Sequence, residues 1–82
     1  MQQLLFYTKL NCHLCEKAYG VVLEVVPDIR LDIEVIDISL PHQAEAMARY
    51  GQRIPVIAKP GSGAELDWPF TTADVRQFLT TA

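Results

Sequence analysis

Thr8-Lys9-Leu10-Asn11-Cys12-His13-Leu14-Cys15-Glu16 holds both cysteines of the chain, with two residues between them. The apolar run Leu4-Leu5-Phe6-Tyr7 precedes it, and from Leu14 to Val26 apolar residues recur at helical spacing. A Cys-x-x-Cys where a strand hands over to a helix is well placed for redox chemistry. The thiolate is the nucleophile, and a free cysteine with a pKa of about 8.5 is only about 3% ionised at pH 7. Unpaired N–H groups and the positive dipole end of a helix N-terminus favour the anion. Lys9 and a protonated His13 would add positive charge, which makes His13 a candidate modulator of the thiolate pKa. The gain in attack rate is limited, because nucleophilicity falls with pKa along a slope of about 0.4–0.5. The larger benefits are a better leaving group and a second thiol, Cys15, waiting one helical turn on.

Other readings of the pair stand beside this one. As a structural disulfide it would close so short a loop that the unfolded chain is hardly restricted. Half a zinc site lacks its other half, since His13 and His42 are the only imidazoles and there is no second cysteine pair. Haem attachment needs histidine after the second cysteine, where Glu16 stands. Two inert buried thiols remain compatible with the spacing alone.

Eighty-two residues, half of them hydrophobic, suit one small folded domain spanning 1–82. The formal net charge is −3, and the seven basic residues are scattered. No basic stripe exists to neutralise phosphates, so nucleic acid is not an expected partner. No apolar run approaches membrane-spanning length. The first residues lack the basic stretch and long apolar core of a signal peptide. A cytoplasmic, reducing location is expected, where a cysteine pair is more often catalytic or metal-binding than structural.

Leu4 to Tyr7 is apolar without alternation, as in a short strand covered on both faces. Asn11 is expected near the N-cap of the helix that follows. Leu14, Ala18, Val21, Val22 and Val25 form its predicted apolar face, and Pro27-Asp28 ends it. A second strand follows, with Leu31, Ile33 and Val35 alternating with Asp32 and Glu34, joined to the first as a parallel crossover. Ser39-Leu40-Pro41 opens a short helix running to about Tyr50. Ala44, Met47 and Ala48 are its expected inward face, and Gly51 its C′ residue. Ile54-Pro55-Val56-Ile57-Ala58 reads as a strand, Pro60-Gly61-Ser62-Gly63 as a turn, and Ala64 to Trp68 as an antiparallel partner. Thr71 caps a last helix with Val75, Phe78 and Leu79 buried. The order is β-α-β-α-β-β-α.

That order, the Cys12–Cys15 pair after the first strand and Ile54-Pro55 opening the third resemble the glutaredoxins of the thioredoxin superfamily. The runs Tyr7-Thr8-Lys9, Cys12-His13-Leu14-Cys15-Glu16 and Tyr50-Gly51-Gln52-Arg53-Ile54-Pro55-Val56 are most similar to small glutaredoxin-like proteins. The resemblance implies an α/β fold with a four-stranded mixed sheet flanked by three helices. It implies Cys12 as nucleophile, Cys15 as resolving cysteine and a cis bond before Pro55. It also implies a substrate or glutathione site drawn from Tyr7, Lys9, Arg53, Ile54 and Pro55. There, Ile54 would offer backbone groups to a bound peptide as a strand does, and the Arg53 guanidinium would take a carboxylate.

The chain departs from the glutaredoxins at three points. His13-Leu14 replaces proline and an aromatic residue between the cysteines. Trp68-Pro69-Phe70 replaces a glycine pair where backbone approaches glutathione, which weighs against tight glutathione binding. There is no further cysteine for a second relay. The expected function is thiol–disulfide oxidoreduction in cell redox homeostasis, with a disulfide-containing protein or glutathione as partner. Reduced glutathione as co-substrate, or a thioredoxin-reductase-type enzyme, would restore the dithiol. No tightly bound cofactor and no metal are expected, and nothing demands more than a monomer. Two alternatives are a redox-responsive binding module without reductase activity, and metal or cluster carriage through Cys12 with glutathione as co-ligand.

Overall fold

The computed structural model describes residues 2–80. The expected span of 1–82 therefore includes Met1, Thr81 and Ala82, which lie outside the described residues. Strand β1 (Gln2–Thr8) lies inside a four-stranded sheet, pairing parallel with β2 (Leu31–Asp37) and antiparallel with β3 (Val56–Ala58). Strand β4 (Glu65–Asp67) pairs antiparallel with β3, giving the order β2-β1-β3-β4. Helices α1 (His13–Val25), α2 (Ala44–Tyr50) and α3 (Thr72–Thr80) complete the mixed α/β architecture.

Side chains alternate across a strand, so the unbroken apolar run of β1 must serve two layers. Leu4 and Phe6 are fully buried in the main core with Ala18, Val22 and Val25 of α1 and Val75 and Leu79 of α3. Tyr7, on the opposite face, joins a smaller core of Ile38, Tyr50 and Val56, edged by Ile36 and Ala46. One face thus carries two helices, and the other is covered in part by α2. The α3 start is a reciprocal cap. Asp74 N–H donates to Thr71 Oγ1 (3.1 Å), and Thr71 N–H donates to Asp74 Oδ2 (2.9 Å).

Several local expectations are corrected. Cys12, not Asn11, is the N-cap of α1, and Asn11 takes the left-handed conformation with φ 58°. Asparagine tolerates that region because its short polar side chain bonds locally, and the turn it makes delivers Cys12 to the helix start. Leu14 is 48% exposed, and Cys15 takes the inward position one residue later, in line with Ala18, Val22 and Val25. In α2, Ala44, Met47 and Ala48 are exposed, while Ala46 and Tyr50 face inward. Alanines carry little hydrophobic signal, so the large Tyr50 ring decides which side of this short helix is buried. Gly51 is the C-cap in ordinary right-handed geometry, φ −52°. Its requirement is steric, because a Cβ there would stand 2.6 Å from the Met47 carbonyl oxygen. Phe78 is half-buried at the rim of the main core, with Lys59 Nζ 5.2 Å from its ring centre.

Candidate active site

The turn Thr8–Asn11 leaves the end of β1, and α1 begins at once, so the cysteine pair sits where sheet and helix N-terminus meet. Cys12 and Cys15 are joined by a disulfide, with Cα atoms 5.2 Å apart. The Cys15 N–H donates to Cys12 Sγ (3.2 Å), and the Glu16 N–H to the Cys12 carbonyl (3.2 Å). The sulfur of Cys12 therefore fills the place that a serine or aspartate oxygen takes at ordinary helix starts. Cys12 is half-buried, whereas Cys15 is only 3% exposed, packed in the main core. One sulfur is reachable from solvent and the other is held behind it.

The sequence-predicted site residues fall into separate groups. Lys9, Cys12 and Cys15 line one open cleft, together with Phe6, Tyr19 and Val35. His13 is the first residue of α1 and points into solvent, its side chain 94% exposed, with Nδ1 3.9 Å from Glu16 Oε2. Pro55 is buried, and the Ile54–Pro55 bond is cis. The Trp68–Pro69 bond is cis as well. The Ile54 N–H, expected to be open to a peptide, already donates to the Tyr50 carbonyl (3.0 Å). The Pro55 carbonyl accepts from the Trp68 N–H (3.1 Å). Phe70 is core and Trp68 its rim, in edge-to-face contact with centroids 5.1 Å apart.

Tyr7 and Arg53 belong to a different cluster, which sequence reasoning did not assemble. Tyr7 stacks on Tyr50 (centroids 4.2 Å apart), and the Tyr50 hydroxyl donates to Glu65 Oε2 at 2.5 Å. Glu65 also pairs with Arg49 (3.0 Å) and Arg53 (2.9 Å). Arg53 binds Asp67 through two nitrogens, Nε to Oδ2 at 3.0 Å and Nη2 to Oδ1 at 2.7 Å. Its guanidinium is thus engaged by carboxylates of the chain itself, tying the Arg53–Pro55 turn to β4. The hydrogen bond from Tyr50 and those from Arg53 hold the Glu65 carboxyl below the usual range, and Arg53 does the same for Asp67. Burial, then the bond to Glu65, pushes the Tyr50 phenol up to about 12. The only advance signal was the alternation of Glu65 and Asp67 opposite a strand flanked by Arg53.

The signs of these shifts give a pH window. The lowered carboxyls stabilise the fold above their unfolded values, near pH 4, and that contribution is lost as pH falls. The raised phenol stabilises it below about pH 10, and that contribution fades as pH rises through about 12. Tyr50 is expected to ionise at about pH 12. Ultraviolet difference titration with a Tyr50→Phe variant checks this, since the phenol absorbance change near pH 12 should disappear.

Among the described residues no group of three or more His, Cys, Asp or Glu side chains is gathered as a metal site. No helix among them is long and apolar enough to cross a membrane.

Comparison with known proteins agrees with this architecture. An X-ray structure of a structural-genomics target protein, XcR50, from X. campestris superposes with a TM-score of 0.82 at 32% identity, covering 96% of this chain and 97% of that one. Thioredoxin O2 from Arabidopsis thaliana, in its oxidised state, superposes with a TM-score of 0.68 at 17% identity, covering 94% of this chain and 70% of that one. At that identity it bears on the fold alone. No curated protein matches the chain. The family model for the glutaredoxin-like domain (DUF836) matches residues 3–80. With its thioredoxin-type fold and its Cys12–Cys15 disulfide, which point to redox chemistry, the chain belongs to the glutaredoxin-like domain family (DUF836) of the thioredoxin superfamily.

Proposed function

We propose that this chain is a thiol–disulfide oxidoreductase in which Cys12 attacks and Cys15 resolves. The observation that carries the reading is the asymmetry of the pair. Cys12 is reachable at the N-cap of α1, and Cys15 is 3% exposed beneath it. In the reduced protein the Cys15 N–H and the helix dipole stand ready to stabilise a Cys12 thiolate. That thiolate attacks a substrate disulfide. A Cys12–substrate S–S bond forms, and the substrate's own S–S bond breaks. One substrate sulfur leaves as a thiolate and takes a proton from solvent. Cys15, deprotonated by solvent, then attacks Cys12 sulfur, expels the second substrate thiol and closes the Cys12–Cys15 disulfide. Two electrons have passed to the substrate. Two glutathione thiols, or a dithiol supplied by a reductase, restore the starting state.

A protein disulfide is the favoured substrate. The bulky Trp68-Pro69-Phe70 segment and the engagement of Arg53 by Asp67 and Glu65 both weigh against a tight glutathione site. Lys9, on the cleft rim, remains the cation best placed for a substrate carboxylate. The exposed His13 imidazole would act on Cys12 only as a solvent-screened charge. The protein is proposed to work as a monomer in the cytoplasm with no tightly bound cofactor.

The reading is tested with Cys15→Ser. Losing the resolving thiol should halt the reaction at the Cys12 mixed disulfide, seen as a mass increase equal to one substrate thiol less two hydrogens. A Cys15→Ser protein that forms no adduct, beside a wild type that turns over no disulfide, would instead favour a redox-responsive binding module.

A further inference from the structure

The cleft beside the cysteine pair brings the apolar side chains of Phe6, Leu10, Tyr19 and Val35 next to Cys12 and Cys15. Its volume is about 520 Å³, within the range of small-ligand sites. Phe6, Cys15 and Tyr19 are among its lining residues, with the Phe6 and Tyr19 rings edge to face at 5.4 Å. Val35, opposite Phe6 in the β1–β2 ladder, carries the apolar surface out to the sheet edge. Val35 is 51% exposed, and Leu10, from the turn before Cys12, is 75% exposed. Two apolar side chains are thus left in water at a cleft whose wall includes the reacting sulfur, and the opposite charges of Lys9 and Glu16 leave that cleft without net charge.

Attachment of a substrate to Cys12 fixes what can enter. The residue next to the substrate's cysteine lies only about 3.8 Å further along the chain, Cα to Cα, so its side chain is carried to the cleft mouth. We propose that this cleft is a specificity subsite for a large uncharged apolar side chain, aromatic or long aliphatic, adjacent to the disulfide-forming cysteine of a protein or peptide. The inference rests on the disulfide-exchange reading and narrows its substrate class. The glutamyl and glycyl neighbours of the cysteine in glutathione offer no such side chain, so the subsite discriminates against the tripeptide. Covering about half of a leucine or phenylalanine side chain is worth about tenfold in affinity.

The test uses disulfide-linked dimers of a short peptide with phenylalanine or serine beside the cysteine, and bis(2-hydroxyethyl) disulfide as a probe without side chains. The same peptides with serine replacing cysteine are titrated against the oxidised protein, which reads binding apart from turnover. The phenylalanine peptide is expected to be favoured about tenfold in both kcat/KM and affinity. Val35→Glu, and independently Leu10→Ser, should bring that ratio close to one. Both positions are exposed, so neither change opens the core. A wild type that turns over bis(2-hydroxyethyl) disulfide but treats the two peptides alike overturns the subsite and leaves the exchange reading standing. A tenfold preference that survives both variants overturns it too. No turnover of any disulfide, with the binding preference intact and abolished by the variants, sinks the exchange reading while supporting the cleft as the apolar subsite.

Discussion

Cys12→Ser is expected to abolish disulfide reduction, by about a thousandfold or more. A serine hydroxyl is a far weaker nucleophile than a thiolate at neutral pH, and Cys15 lies too deep to take over the attack. The substitution should leave the fold nearly intact. Cys12 is the N-cap of α1, and its sulfur accepts from the Cys15 N–H. Serine is among the preferred residues at that position, so its oxygen can take the same bond. The lost disulfide closes a loop of sequence separation 3, which constrains the unfolded chain little. Activity on a model disulfide and urea unfolding of the reduced proteins check both halves. Full activity in Cys12→Ser would remove the role assigned to this residue. A large loss of stability would show that the cap is not interchangeable.

The largest expected effect on stability is at Phe6. Its side chain is 1% exposed, central in β1, and paired across the ladders with Val35 and Ile57. It packs between sheet and α1 in edge-to-face contact with Tyr19. Phe6→Ala should cost about 3–5 kcal/mol, from lost transfer energy and the cavity left behind. Against a stability of about 5–15 kcal/mol for an ordinary domain, that is a large share of the whole. Chemical denaturation should show a much lower midpoint with an unchanged slope. A loss below about 1 kcal/mol would mean that neighbouring side chains collapse into the space and that the core is less fixed than its packing indicates.

The elements of the fold were legible because each had a physical signature of its own. The unbroken Leu4–Tyr7 run foretold a strand used on both faces, and the alternation from Leu31 foretold a second strand joined to it by a parallel crossover. The threonine before an acidic first turn foretold the cap of α3. What failed was what depends on a single residue's geometry. Asn11 looked like a cap, but the chain uses its tolerance of positive φ to turn and gives the cap to Cys12. The α2 face was misread because three alanines and a methionine say little about direction, while Tyr50 alone finds a partner in Tyr7.

The site was legible in its chemistry and less so in its company. The spacing of Cys12 and Cys15 and their place at a helix start followed from the sequence. The assignment of Arg53 and Tyr7 to a glutathione site came from resemblance. Here both are occupied around Tyr50 and Glu65. Long-range ion pairs between α2, the Arg53 turn and β4 leave no periodic trace, because their partners, Arg49 with Glu65 and Arg53 with Glu65 and Asp67, lie far apart in sequence. The cleft beside the cysteines was equally hidden. Phe6, Leu10, Tyr19 and Val35 come from β1, a turn, α1 and β2, and only the register of the parallel ladder sets Val35 opposite Phe6.

The most direct measurement is the redox equilibrium of the cysteine pair in glutathione buffers of graded potential, read by mass spectrometry after alkylation. The account predicts a reversible two-electron transition between a Cys12–Cys15 dithiol and its disulfide, with any glutathione adduct confined to Cys12. Thiols that stay unreacted, or a disulfide that stays closed, across the whole range of buffers would contradict it.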